Sequence, residues 1–586
     1  MAKTIGIGIQ DFKKIIEGNY FYIDKTSFIK EWWESGDDAT LITRPRRFGK
    51  TLNMSMLEQF FSVEYADRGD LFEGLSIWED EKYQKLQGTY PVISLSFARI
   101  KETDYDTVKE KICETLRNLY IKYHFLKDSD ALTDADRAYF DRILAENMRE
   151  VDATSALYQL SDYLHRYYDK KVIILLDEYD TPMQEAYVQG FWDEMVEFTR
   201  SLFNSTFKTN PYMERGIMTG ITRVSKESIF SDLNNLKVVT TTSNEYATSF
   251  GFTEKEVFTA LETYGFETEK EKVKKWYDGF IFGKYKDIYN PWSILNFLDT
   301  GDYTTYWANT SSNSLVSKLI REGDGAIKEQ FEELLQGRHL LVPIDEQIVY
   351  NQIDDNEEAI WSLLLASGYL KVIDYERLDE VERGRRACYE LALTNGEVQL
   401  MFESMVSGWF AKQRSTYNRF VSAMFSGDLD AMNEYMNQIT CEIFSSFDTG
   451  KRASKKAQPE RFPSVKATTS SFKEQNSCVC FYHGFVLGLM VEQQVDYIIT
   501  SNRESGFGRY DIMLEPKKKE NPAVIIEFKV FHAKREKTLE DTVASALAQI
   551  EERQYETGLI AKGIPAERIR KYGFAFEGKN VLIGSN

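Results

Sequence analysis

Long apolar runs are missing from this chain of 586 residues. Stretches such as Val172 to Leu176 fall far below the roughly 18 residues that cross a bilayer. The opening, Met1 to Phe12, also lacks the apolar core of a signal peptide, so a cytoplasmic protein with no membrane partner is expected. Cysteine is scarce: five in all, an odd number with only Cys478 and Cys480 close together, which excludes a disulfide framework and fits a reducing compartment. The five histidines (His124, His165, His339, His483, His532) lack the short spacings of zinc sites. Basic charge is in deficit, 72 Lys and Arg against 92 Asp and Glu, a net −20 that excludes a generally basic nucleic-acid coat and leaves only local DNA or RNA contacts. No solenoid-period repeat and no long low-complexity tract is present.

With 42% hydrophobic and 28% charged residues the composition is that of a globular protein. The length allows roughly three to five domains. Residues 1–250 alternate short apolar runs (Leu41 to Thr43, Pro91 to Phe97, Val172 to Leu176, Gly216 to Thr219) with helical patterns. That is the signature of a doubly wound α/β domain with a buried parallel sheet. Residues 251–330 read as a helical lid segment, broken at Trp276 to Phe280 and at Tyr289 to Ser293. Within 331–448, the order apolar helix (Ala359 to Ser367), strand (Tyr369 to Tyr375), polar turn and strand (Cys388 to Thr394) fits a winged-helix unit and a plain helix-hairpin equally well. Residues 449–473 hold seven Lys and Arg against one acid, Glu460, and read as a basic linker. Residues 474–586 read as a small α/β domain.

The string Thr43-Arg44-Pro45-Arg46-Arg47-Phe48-Gly49-Lys50-Thr51 lies between a strand and a helical pattern. A phosphate-binding loop needs that setting: amides at the helix start cradle phosphates, a Lys reaches the outer ones and a Thr hydroxyl holds Mg²⁺. Arg44 replaces the usual first glycine, and a basic surface turn would explain the string as well. The second half of such a site is Val172 to Leu176 followed by Asp177-Glu178-Tyr179-Asp180, carboxylates at the C-terminal end of a buried strand. Asp177 would hold Mg²⁺ and Glu178 would orient or deprotonate the attacking water, an acidic turn being the plainer alternative. Arg223, at the tip of the run Gly216 to Gly220, could sense the γ-phosphate or form a surface ion pair.

Near the C-terminus two apolar strands flank a polar turn: Arg509 to Leu514, then Ala523 to Val530. A period of two puts Glu527 and Lys529 on one face, where Asp511 can join them. Asp511 and Glu527 could share a divalent cation, with Lys529 positioning the nucleophilic water at a phosphodiester. A Glu–Lys pair on a solvated face is the alternative. The amphipathic pattern Thr538 to Tyr555 would bring Gln549 and Tyr555 near the same place. Lys517 to Lys519, Lys534, Arg535 and Lys537 supply local positive charge.

These residues carry a resemblance over nearly the whole chain. Phe21 to Thr26, Arg44 to Thr51, Leu176 to Asp180, Thr219 to Leu236, Trp276 to Phe280 and Tyr289 to Ile294 resemble the bacterial AAA-ATPase-like family, in which RPRRFGKT is a usual form of the loop. Phe481 to Phe485, Ser501 to Gly506, Tyr510-Asp511 and Glu527 to Val530 are similar to the PD-(D/E)XK nuclease superfamily. The resemblance implies an N-terminal P-loop NTPase with a doubly wound parallel sheet, a helical or winged-helix middle, and a C-terminal restriction-endonuclease-like domain. It implies ATP held by Arg46, Arg47, Phe48, Gly49, Lys50, Thr51 and Asp177, with Mg²⁺ on Thr51 and Asp177. Glu178 and Arg223 would serve hydrolysis. Asp511, Glu527, Lys529 and Gln549 would cut nucleic acid with Mg²⁺ or Mn²⁺. The superfamily often places an acid on the helix before the hairpin; Glu474 is the candidate, and the Gln549 to Tyr555 spacing is looser than usual.

The functional expectation is an ATP-dependent, Mg²⁺-dependent nuclease acting on DNA in preference to RNA, in phage defence or mobile-element biology. The alternative is a nucleotide switch whose nuclease-like domain only binds nucleic acid or a protein. Self-association is left open.

Overall fold

The structure is a computed structural model that describes residues 2–146, 148–222, 229–230, 233–308, 316–317, 319–320, 325–335, 337–344, 359–376, 387–409, 414–443, 496–501, 504–505, 508–509, 511–518, 520–531, 536–577 and 580–586. Contacts divide the chain into two units, residues 1–316 with 339–399, and residues 317–338 with 400–586.

The first unit is built on five strands: β1 (Ala39–Thr43), β2 (Val92–Ser96), β3 (Val172–Asp177), β4 (Met213–Gly220) and β5 (Leu236–Val239). They pair in the order β2-β3-β4-β1-β5, all parallel. β1 and β3 are buried along their whole length, which is why they read as unbroken apolar runs. β5, at the sheet edge, is mostly half-buried and carries a weaker signal. Parallel pairing sends every C-terminal end to one edge. Because β4 lies between β1 and β3, with Thr43 opposite Gly220 and Leu176 opposite Met218, the loops after β1, β3 and β4 meet there. The helix Lys50–Phe61 leaves that edge and buries Met56, Leu57, Phe60 and Phe61.

Residues 251–300 hold three α-helices, Glu254–Thr263, Lys270–Tyr277 and Pro291–Thr300, but also a small sheet. Its strands β6 (Phe252–Thr253), β7 (Phe280–Phe282) and β8 (Tyr285–Tyr289) pair antiparallel in the order β6-β8-β7. The two interruptions in the helical pattern are therefore β7 and the end of β8 running into the last helix. Gly279, at φ +127°, is required there: a Cβ would stand 2.0 Å from the Thr394 carbonyl oxygen. Helix Ala359–Ala366 leads into the antiparallel sheet β10-β11-β9, made of β9 (Leu340–Pro343), β10 (Leu370–Tyr375) and β11 (Cys388–Leu393).

Glu397 ties these parts together. It is almost fully buried and accepts from the backbone N–H of Trp307 at 2.6 Å, that of Ala308 at 3.2 Å and the Ser293 hydroxyl at 2.8 Å. Burial pushes its pKa up to about 7 against these donors. The folded state thus holds the proton more tightly than the unfolded one, and this group's stabilisation falls as pH rises from about 4.5 to about 7. Glu397→Ala removes the acceptor that three buried donors share, so a loss of about 3 kcal/mol is expected in urea unfolding.

The second unit carries β12 (Tyr497–Ser501), the two-residue strands β13 (Glu504–Ser505) and β14 (Gly508–Arg509), β15 (Ile512–Pro516), β16 (Ala523–Val530), β17 (Ile569–Glu577) and β18 (Asn580–Ser585). Five of them form one mixed sheet, β12-β15-β16-β17-β18, with β16 and β17 parallel. One face packs Ile512, Leu514, Val524 and Ile526 with Phe420, Met424, Met432 and Met436 of the helices Arg414–Ser426 and Leu429–Ile443. These helices precede residue 474, where the sequence pattern places the start of the domain. The other face packs Met513, Ala523 and Ile525 against Val543, Leu547 and Ile550 of the helix Leu539–Arg553. Asn433 and Asn437 each donate to and accept from the edge strand β18, at Ile583 and Val581, and so blunt its open edge. The basic tract 449–473 and Glu474 lie outside the described residues.

Candidate functional site

The first site forms where the loops after β1, β3 and β4 meet. Arg44, the residue in the place of the first glycine, turns away from the loop. Its fully buried guanidinium donates to the carbonyls of Thr43 (2.9 Å), Thr240 (2.6 Å) and Glu245 (3.1 Å) and lies 4.6 Å from the centre of the Phe282 ring. A long side chain is tolerated there because it braces the end of β5. Gly49 precedes the helix at φ +81° with no atom within 4 Å of a Cβ position, an open cradle of the kind a phosphate needs.

Lys50 begins the helix and is 5% exposed; its ammonium donates to the carbonyls of Arg44 and Pro45, both at 2.9 Å. Burial lowers its pKa, while Glu178, Asp177 and Asp180 pull it back up. The Thr51 hydroxyl donates to one Asp177 oxygen at 2.7 Å and the Thr219 hydroxyl to the other at 2.5 Å. Asp177 is thereby centred between the helix after β1 and the strand β4, its pKa raised by burial. Glu178 is half-buried at φ +50°, and the Thr181 hydroxyl donates to it at 3.2 Å. A hydroxyl, a carboxylate and a lysine beside an open helix start are the hard, charged donor set that a nucleotide triphosphate with Mg²⁺ requires.

The loop's other side chains are engaged elsewhere. Arg46 donates to Gln184 at 3.4 Å, Arg47 stacks its guanidinium 4.3 Å over Trp292, and Phe48 is buried against Phe280 with ring centres 4.7 Å apart. Asp180 is legible in the sequence only as part of an acidic string. It is buried, and one of its oxygens accepts from the N–H groups of Ile221 (3.0 Å) and Thr222 (2.9 Å) and from the Thr222 hydroxyl (3.0 Å), fixing the tip of β4. Arg223 lies outside the described residues.

The second site lies on β16. Glu527 and Lys529 follow Ala523 and Ile525 on the face toward the helix Leu539–Arg553. Gln549 of that helix joins them: its amide donates to Glu527 and to the Tyr555 hydroxyl (3.2 Å), and its carbonyl accepts from Lys529 at 2.8 Å. Asp511, just before β15, accepts from the Phe528 N–H at 2.7 Å and so sits beside Glu527. Glu527 is 3% exposed, and among the described residues its second carboxylate oxygen is buried without a hydrogen-bond partner, the Asp511 backbone lying nearby. Its pKa is raised, first by burial and then by the charge of Asp511, with Lys529 opposing. A buried, unsatisfied carboxylate oxygen next to a second carboxylate is a fit for a hard divalent cation.

A third acidic group, Glu254, Asp278 and Asp287, has ligand atoms within 4.8 Å of one another. Lys274 bonds Glu254 and lies 3.4 Å from Asp287, so an ammonium already offsets part of that charge. No helix among the described residues is long and apolar enough to cross a membrane.

Comparison with known proteins matches residues 6–230 to the family described as "Predicted AAA-ATPase" and residues 480–586 to the PD-(D/E)XK nuclease superfamily. A protein of Azotobacter chroococcum mcd 1, described as "Uncharacterized protein in vnfD 5'region", is 26% identical over 405 residues, which cover 68% of each chain.

Proposed function

From a chain that carries an AAA-ATPase-like domain followed by a PD-(D/E)XK nuclease-superfamily domain, we propose an ATP-dependent nuclease that cuts DNA with a divalent metal. The observation that carries the cutting activity is the unpartnered Glu527 oxygen beside Asp511, with Lys529 held on the same face by Gln549. A carboxyl buried in that way holds its proton until a cation takes the proton's place. Mg²⁺ or Mn²⁺ held by Asp511 and Glu527 would polarise the phosphodiester and acidify bound water. Lys529 then places a positive charge against the nucleophile, and Gln549 fixes both side chains by bridging them.

At the first site Lys50 binds the outer phosphates, Thr51 and Asp177 hold the Mg²⁺ that accompanies them, and Glu178 orients water for hydrolysis. Restriction of phage or mobile-element DNA is the proposed role. Purified full-length protein is to be incubated with plasmid and with DNA and RNA oligonucleotides, with and without ATP, in Mg²⁺ or Mn²⁺. Metal-dependent DNA cleavage that responds to ATP is expected. Nucleotide binding with no cleavage of any substrate would leave a nucleotide switch as the better account, and plating of phage on expressing cells tests the role.

A further inference from the structure

Three successive carbonyls of the loop are held by side-chain donors. Lys50 takes those of Arg44 and Pro45, and the third, that of Arg46, accepts from the Asn290 amide at 3.2 Å. Lys50 belongs to the loop's own helix, but Asn290 lies 244 residues beyond Arg46, at the end of β8. Asn290 is fully buried, and its side-chain oxygen makes a separate bond, accepting from the Trp292 N–H at 2.9 Å and capping the helix Pro291–Thr300. The neighbouring contacts run the same way. Arg47 lies over Trp292, Phe48 against Phe280 and Phe282, and Gly251 is close enough to Phe48 that a Cβ would stand 2.9 Å from its ring.

The bulky residues that distinguish this loop from a glycine-rich one are thus the surface on which the segment 251–300 is seated. Asn290 supplies the polar bond to the loop backbone. We propose that Asn290 is a positioning residue that sets the shape of the phosphate-binding loop, so that nucleotide affinity depends on the seating of the β6-β8-β7 segment. This rests on the reading of the first site as a nucleotide site.

One side chain makes two bonds through different atoms, and substitution separates them. Asn290→Asp and Asn290→Ser keep an oxygen to cap Trp292 but lose the amide donor to Arg46; Asn290→Ala loses both. Thermal midpoint, affinity for Mg²⁺ with a non-hydrolysable ATP analogue, and amide hydrogen exchange across residues 44–51 are to be measured on the full chain. For Asn290→Ser the midpoint is expected near wild type, and for Asn290→Asp lower, because a carboxylate is then buried against the Arg46 carbonyl; in both, affinity is expected at least fivefold weaker and exchange of the loop faster without nucleotide. Asn290→Ala should lose thermal stability as well. Wild-type affinity and unchanged loop exchange in the Asp and Ser variants would overturn the proposal and leave Asn290 a helix cap. A wild-type protein that binds no nucleotide while the variants still loosen the loop would sink the nucleotide reading and leave the positioning role standing.

Discussion

Lys50→Ala is expected to weaken nucleotide binding by roughly ten- to a hundredfold, the worth of charge-assisted contacts to phosphate at about 1.5–3 kcal/mol. Three features of the free protein set the size of that loss. The ammonium is buried, so its attraction to phosphate is little screened. It also starts the helix at the open Gly49 position, where amides and the helix dipole favour an anion. Finally, its present partners are the neutral carbonyls of Arg44 and Pro45, which a phosphate outcompetes electrostatically. Glu178→Gln keeps this binding apparatus and should lower turnover by roughly a hundredfold or more, in the range of general-base losses. Isothermal titration of the two variants separates binding from hydrolysis. Equal affinity in wild type and Lys50→Ala would remove the first site from the account.

The parts of the fold legible in the sequence are those whose burial is total. β1 and β3 announce themselves because strands covered on both faces need unbroken apolar runs, and Asp177 stands out because it ends one of them. Strand order is not legible: nothing local in Gly216 to Gly220 says that β4 inserts between β1 and β3 and delivers Thr219 to Asp177. The sheet of residues 252–289 is hidden in a helical pattern since its strands are two to five residues long. Of the site residues, Lys50 and Thr51 follow from the loop string, and Glu527 and Lys529 from a period of two. Asn290 and Asp180 act through bonds to distant backbone, a role with no spacing rule. Likewise Asn433 and Asn437 look like ordinary polar helix positions until β18 is seen beside them. Arg44 is instructive because the string alone reads as a lost glycine, whereas bonds to three carbonyls, two of them about 200 residues away, turn the substitution into a brace.

Glu527→Gln should abolish metal-dependent cleavage and, without metal, make the folded protein steadier at neutral and alkaline pH. The two effects share one cause. The Glu527 carboxyl is held above its ordinary range by burial and by Asp511, so the folded state prefers it protonated. Its contribution to stability is therefore full below the ordinary carboxylate value of about 4.5 and is lost as pH rises toward the raised one. Glutamine removes that loss, and thermal midpoints recorded from pH 5 to 9 in a chelator should fall more steeply with pH in wild type than in the variant. A divalent cation reverses the preference, since it binds the ionised pair and expels the proton. Added Mn²⁺ should raise the wild-type midpoint most at high pH and leave Glu527→Gln nearly unmoved. Asp511→Asn keeps an acceptor for the Phe528 N–H and should likewise lose the metal response with its fold intact. Lys529→Ala frees the Gln549 carbonyl and leaves both carboxylates in place, so its metal response should survive, moved to higher pH by the loss of the Lys529 charge, while the cleavage rate falls. A Glu527→Gln protein that still cuts at the wild-type rate, or a midpoint with the same slope in both proteins, would show that this carboxyl neither holds the metal nor bears the buried charge.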